Sequence, residues 1–401
     1  MQNIVRLLKL MALPLFMLLF STHLIAASKI VFWTTQQHND YLDNIISNFE
    51  KNHGIEIELH QFLAEDLRDE VVTLARTAEL PDMLYIPSDF VGMHNEIKLS
   101  PIPSSWFSQH LSMKIRSISK INETSYGIPV FQGNHLMLFY NREMVTTPIT
   151  DWQQLKEQSR SFSDQVTFPI TWHYSEMYWL IPFISAYQSW PMVGDNVTLN
   201  TPGMVKALRF YQNLAKDKLV DPNCDHTCSV ANFKNGQSPY LIDGDWIIHT
   251  LEKEMGNKLG IATLPKVEGQ TMYPMFGSYV LAFPNLQEDS EKYKILEKFA
   301  LYTQGLEAQQ LVLDEGGLMP VNDKILADAY TRMNSNEKAV MEQINFTHPL
   351  PTSPNMSVAW FAMKRGFVRL MEHNYTPEQT ALFMQRTASK ELSRQNKTID
   401  K

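Results

Sequence analysis

Cysteine is almost absent from this chain: Cys224 and Cys228 are the only two among 401 residues. A scaffold stapled by several disulfides is therefore excluded, and buried apolar side chains must carry the stability. Positive charge is also scarce. Lys and Arg number 35 against 43 Asp and Glu, a net of −8, which argues against a nucleic-acid partner. Beyond the amino terminus there is no second long apolar stretch, so the protein is not expected to be membrane-embedded. No HExxH, no Ser-His-Asp elbow and no phosphate loop occurs, and no cofactor is expected.

The first 28 residues have their own logic. Arg6 and Lys9 are their only charges, followed by an uncharged run over 10–20 and then Ala26, Ala27 and Ser28. A charged start, an apolar middle and small residues at the end predict a secretory signal cleaved within 26–28. The run is too short for a comfortable membrane span. No cysteine lies in the cleavage zone, which disfavours a lipid anchor. A periplasmic location follows. In that oxidising compartment the CDHTC segment, Cys224 to Cys228, reads as a structural disulfide. A redox motif, or a metal site that adds His226, remains a rival; the three-residue gap is not CxxC and no second ligand cluster matches it.

With 44% hydrophobic residues the chain can fill two cores, and its length predicts two domains. Residues 30–34 read as a strand. Leu42, Ile45, Ile46 and Phe49 then recur at helical spacing, and Gly54 stops the helix. Ile55, Ile57 and Leu59 alternate with glutamates, a strand pattern. A second helix with Leu67, Val71, Leu74, Ala75 and Ala78 inward precedes a strand over 83–86. This β-α-β-α-β rhythm predicts an α/β fold with a mostly parallel sheet. Further strands are expected at 166–170, 240–242 and 259–262, and helices at 182–187 and 205–215. Segments 128–140 and 273–283 read as connectors between lobes. Helices are expected at 292–302, 307–314, 323–333, 337–344, 359–372 and 377–394.

The stretch FKNGQSPYLIDGDW, residues 233–246, is the richest. Tyr240-Leu241-Ile242 is a short buried strand, Asp243-Gly244-Asp245 breaks it, and Trp246 opens the next helix at the strand's carboxyl end. Open α/β sheets bind ligands at that edge. A core tryptophan capping the sheet is the alternative.

Taken in order, the segments KIVFWTTQ, LDNIISNFEKNHGIEIEL, LPDMLYIPSDFVG, YGIPVFQGNHLMLFYNREMV, ANFKNGQSPYLIDGDW, LGIATLPKVEG, FGSYVLAFP, LVLDEGGLMPVNDKIL and NMSVAWFAMKRGF resemble the extracellular solute-binding proteins of ABC importers. The nearest group is the sugar binders typified by maltose-binding protein. The resemblance implies a periplasmic-binding-protein fold: two discontinuous α/β lobes on a hinge, with the ligand cleft between them. It puts the N-terminal lobe at 29–132 plus 279–330 and the C-terminal lobe at 133–278 plus 331–401.

The resemblance also implies a ligand set. Trp246 and Trp360 align with cleft tryptophans, whose indole faces suit the C–H face of a sugar ring. Tyr174 and Glu176, with Trp172 and His173 behind them, fall in a ligand-touching loop. Gln37 and His38 stand at a ligand-facing turn. Asp89 matches an acidic contact, although Ile86 and Phe90 replace the flanking tryptophan and arginine, which counts against maltose itself. Gln132, Asn134 and His135 lie on the first hinge strand, and Gly277, Ser278 and Tyr279 on the second. Lys364 stands one turn after Trp360. The implied function is capture of a carbohydrate for ABC permease transmembrane subunits by a non-enzymatic monomer.

Other functions stay open at this point. Asp89, Glu176, Asp243 and Asp245 could converge on a polyamine between aromatic walls. A glycerol-phosphate ligand would want more cationic groups than Lys364. A chemoreceptor or sensor kinase could be the partner instead of a permease. An exported glycoside hydrolase would need Asp243 and Asp245 as a catalytic pair.

Overall fold

The structure is a computed structural model that describes residues 29–35, 40–62, 64–77, 79–288 and 290–399. The signal segment and the turn holding Gln37 and His38 lie outside the described residues.

Two sheets organise the chain. The first has five strands in the order Glu56–Gln61, Lys29–Thr34, Met83–Pro87, Tyr279–Ala282, Ile128–Pro129. Its first three strands are parallel, joined by the helices Asp40–His53 and Ala64–Leu74. The last two are antiparallel to their neighbours. The second sheet orders Leu259–Ala262, Leu136–Asn141, Tyr240–Gly244 and Ile170–Thr171, with Leu136–Asn141 antiparallel to both neighbours. The sheets are mixed, not mostly parallel. Strands arriving from the other half of the molecule enter each sheet in the reverse direction, which the local βαβ rhythm does not encode.

Both faces of each sheet are covered. In the first, Phe32, Met83 and Tyr85 pack with Ile45, Phe49 and Phe299 on one face. Leu84, Ile86 and Val280 pack with Leu67 and Val71 on the other. The alternation of facing residues along 83–86 is the two-residue period of a strand. The second sheet repeats the plan: Leu136, Leu138 and Tyr240 face Leu180, Tyr211 and Phe367, while Met137, Phe139 and Leu241 face Leu251, Val340 and Ile344. Burying one such side chain contributes about 1.5–3 kcal/mol, so each layer is a core in its own right.

Two local expectations are revised and one is met. The strand expected at 166–170 is reduced to Ile170–Thr171; Asp164 and Gln165 turn the chain and Pro169 has no N–H to give a ladder. The helix expected to begin at Pro182 begins at Met177, with Pro182 inside it. Glu176, accepting from the Tyr178 N–H, is the start signal. The expected disulfide is present: Cys224 and Cys228 are bonded at the head of the helix His226–Lys234.

The connecting strands cross at two glycines. Gly133 and Gly277 exchange backbone hydrogen bonds at 3.3 and 3.0 Å. A Cβ on Gly133 would sit 2.2 Å from Asp245 Oδ2. Overpacking of that kind costs about 1–3 kcal/mol. Gly133→Ala is predicted to lower stability by this amount in urea unfolding, whereas Gly269→Ala, with nothing within 4 Å, loses only the smaller strain of its positive φ.

Candidate functional site

The helix Met177–Ala186 places Tyr178 on its first turn. The Tyr178 ring lies 6.2 Å from that of Trp246 and 6.4 Å from that of Trp360, and Trp179 lies 6.2 Å from Trp246. These are ordinary separations for aromatic neighbours. Trp246 arrives from the turn Asp245–Ile247 at the end of the strand Tyr240–Gly244 and is 41% exposed. Gly244 makes that corner passable, because a Cβ there would sit 2.1 Å from the indole. Trp360 comes from the helix Asn355–Glu372, distant in sequence.

Hydrogen bonds hold the wall to the hinge. The Tyr178 hydroxyl donates to the Asn134 carbonyl. The Asn134 N–H donates to Asp245 Oδ2 at 2.9 Å, and Asn134 has φ 53, a left-handed conformation that asparagine tolerates better than most residues. Burial holds the Tyr178 phenol protonated, well above its usual range, and Asp245 and Asp89 push the same way. Asp89 belongs to the turn Ser88–Met93 beyond the first sheet.

A cavity of about 560 Å³ opens beside Trp360. Asp89 and Met93 wall it from the first sheet's side, and Pro351, Pro354 and Met356 from the other. Lys364, one turn along from Trp360, donates to the Ser175 carbonyl at 2.8 Å and fixes the loop ahead of Glu176.

The expected ligand set therefore divides. Trp246, Trp360 and Asn134 gather around Tyr178, Asp89 and Trp360 line the cavity, and Glu176 and Lys364 stand at the adjoining loop. Trp172 and Tyr174 do not: both are fully buried, and this corrects their placement at a ligand. Trp172 donates to the Tyr211 hydroxyl, and Tyr174 donates to the Tyr211 carbonyl. Their ring neighbours Phe183, Tyr211 and Phe367 make them core. Gln132 and Ser278 are also buried; Gln132 donates to the Pro320 carbonyl and Ser278 to the Phe131 carbonyl. The backbone that Gly277 admits is that of Gly133 rather than a ligand's. Tyr178, which sequence reasoning missed, sits at the centre. The available signal was the Glu-x-Tyr start of an apolar helix.

Asp243 and Asp245 have separate tasks. Asp243 is fully buried, accepts from the Gly244 N–H, and lies 3.0 Å from His226 Nε2. Asp245 faces Asn134 and the buried His135, whose Nδ1 is 3.3 Å away. They do not flank a common space as a hydrolytic pair would. With Asp243 sealed inside, the four carboxylates considered for a polyamine do not converge either. Among the described residues no group of three or more metal-ligating side chains is assembled, and no helix is long and apolar enough to cross a membrane.

Comparisons with known proteins show the family and the fold. The sequence profile of the bacterial extracellular solute-binding proteins matches residues 44–339. The galactooligosaccharide-binding protein of Bacillus subtilis (strain 168) is 22% identical over 361 residues, covering 83% of this chain and 82% of that protein. Among solved structures, the maltose/maltodextrin-binding domain MalE of Bdellovibrio bacteriovorus, bound to maltotriose, superposes with a TM-score of 0.79 at 23% identity, covering 91% of this chain and all of that one. The GacH receptor of Streptomyces glaucescens, solved unliganded and with acarbose, also reaches a TM-score of 0.79, at 16% identity and with 91% and 98% coverage.

The contact with Asp243 raises the His226 pKa above the usual imidazole value, against the opposing pull of partial burial. The sign follows: the pair is at full strength below the unfolded imidazole pKa and fades as pH rises through the higher folded value. His226 is close to half exposed, so about 1 kcal/mol or less is involved. The melting temperature of the protein is predicted to fall as pH rises through neutrality, and His226→Gln to flatten that slope.

Proposed function

The chain belongs to the bacterial extracellular solute-binding proteins, and from that premise we propose that it captures a carbohydrate, a sugar or oligosaccharide, and delivers it to an ABC permease. The observation carrying this reading is the wall of Trp246, Tyr178 and Trp360, one ring exposed and another beside the cavity. Indole faces take the apolar side of a pyranose, while the acids and amides around them answer its hydroxyls. The similar proteins, whose ligands are galactooligosaccharide, maltotriose and acarbose, support the same class.

The protein works without altering its ligand. The two halves are lobes, the first from 29–132 and the segment after 279, the second from 133–278 and the chain's last part. Met319 and Ala329 pack with the second sheet's core, which supports a third crossing ahead of residue 330. Ligand touching Trp246 on one lobe and Asp89 on the other favours the closed arrangement, shifting a population of open and closed forms. The closed outer surface is what the permease's transmembrane subunits read. The exported monomer keeps its Cys224–Cys228 bond in the periplasm.

A micromolar ligand requires about 8 kcal/mol, within reach of two stacked rings and several buried hydrogen bonds. Intrinsic tryptophan fluorescence titrated with a panel of neutral mono- and oligosaccharides is predicted to respond to at least one member. Trp246→Ala should weaken that ligand tenfold or more, about 1.4 kcal/mol, with the melting temperature of the free protein little changed. Silence across the panel, with no thermal shift from any sugar, would remove the carbohydrate reading.

A further inference from the structure

The strand Tyr240–Gly244 ends in a buried carboxylate that takes no part in the aromatic wall. Asp243 is fully buried, and its Oδ1 is taken by the Gly244 N–H. Among the described residues its one ion pair is with His226, whose Nε2 lies 3.0 Å from Oδ2. His226 stands between Cys224 and Cys228, the bonded pair at the head of the helix His226–Lys234. Asp225 caps that helix and accepts from the Cys228 N–H at 2.8 Å. A short covalent ring therefore holds the imidazole against the carboxylate. Two contacts carry the position of this pair to Trp246. The Trp246 indole lies against Gly244, the residue that follows Asp243. The Trp179 ring lies 6.3 Å from that of His226 and 6.2 Å from that of Trp246, and its indole N–H donates to the Ile242 carbonyl at 2.8 Å.

We propose that the Cys224–Cys228 bond is a redox modification site, and that its reduction unseats Trp246 and lowers affinity for the ligand. The second half of that statement rests on the reading above, in which the ligand lies on Trp246. The two sulfurs are unequal: Cys224 is buried and Cys228 is partly exposed. A thiolate of a dithiol reductant attacks Cys228 Sγ, the S–S bond breaks, and Cys224 leaves as a thiolate that takes up a proton. The Thr171 hydroxyl at 3.7 Å and the Asn232 amide at 3.5 Å are placed to donate to the departing sulfur. The reductant's second thiol then displaces Cys228 from the mixed disulfide. The protein gains two thiols, and the reductant leaves as a disulfide. The bond spans a sequence separation of only 4, so opening it frees little chain entropy and the fold survives. What is lost is the bracket on His226. A buried carboxylate without its partner is strongly unfavourable, so Asp243 shifts, and Gly244 with the indole resting on it shifts too.

Acrylamide quenching of tryptophan fluorescence, taken as the difference between the protein and its Trp246→Phe variant, reports the exposure of Trp246 in the free protein. Dithiothreitol, the dithiol probe, is expected to raise that difference at least twofold while far-UV circular dichroism stays unchanged. The double variant Cys224→Ser/Cys228→Ser should show the raised value without reductant. His226→Ala should show it too, and reduction should add nothing further there, because the bond acts through that imidazole. For a saccharide that binds, reduction should weaken binding tenfold or more. Quenching that reduction leaves unchanged overturns the proposal. So does a full further rise on reducing His226→Ala, which would bypass the imidazole, or a loss of the far-UV signal, which would make the bond a staple of the fold. A saccharide affinity indifferent to reduction overturns it as well. If no saccharide binds, the carbohydrate reading falls, and the quenching of the free protein decides the redox site by itself.

Discussion

One backbone unit, the peptide groups of Asn134, joins the hinge to the aromatic wall. Its N–H is held by the Asp245 carboxylate and its carbonyl by the Tyr178 hydroxyl. Asp245 stands next to Trp246, and Tyr178 stands between Trp246 and Trp360. The left-handed twist at Asn134 and the missing side chain at Gly133 let the hinge strand reach both partners at once. Charge-assisted bonds of this type are stronger than neutral ones. Any change in the crossing angle of these strands must move, or be resisted by, the aromatic wall.

The cleft follows from how the two sheets are closed. Each is covered on both faces, so neither can present an open apolar surface to a solute. What remains for recognition is the edge where strands end and turns begin, and both Asp89 and Trp246 come from such turns. Rigid sheets position these turns, and the crossing strands let the two edges approach. The turns and the late helices supply the side chains of the candidate site, while the sheets supply its frame. The disulfide fits this division: it pins the head of the helix carrying His226, which sits against the buried Asp243 two residues before Asp245.

Much of the frame was legible because hydrophobic periodicity is a local property. The helix with Ile45 and Phe49 follows from spacing, and the strand 83–86 from an apolar run opened by Pro81-Asp82. The antiparallel strands were not, since their direction is set by where the chain returns from, tens to hundreds of residues away. At the candidate site, Trp246 drew attention by its position after a strand end and Trp360 through the resemblance alone; both rings meet Tyr178. Trp172 and Tyr174 were misplaced because an aromatic loop looks alike whether it faces a ligand or a core. Tyr211 and Phe367, which decide the matter, lie far along the chain. Tyr178 was lost to a helix start read at Pro182 instead of Glu176. Proline is tolerated at a helix start, and that preference competed with the acidic cap, which in the fold prevails.

The most direct measurement is a crystal structure of the protein grown with a maltose- or galactose-series trisaccharide. It should show one pyranose face on Trp246, the next on Trp360, and Tyr178 between them with its hydroxyl still on Asn134. A saccharide seated elsewhere on the molecule, or a closed form whose Trp246 and Trp360 touch only protein, would contradict the central claim.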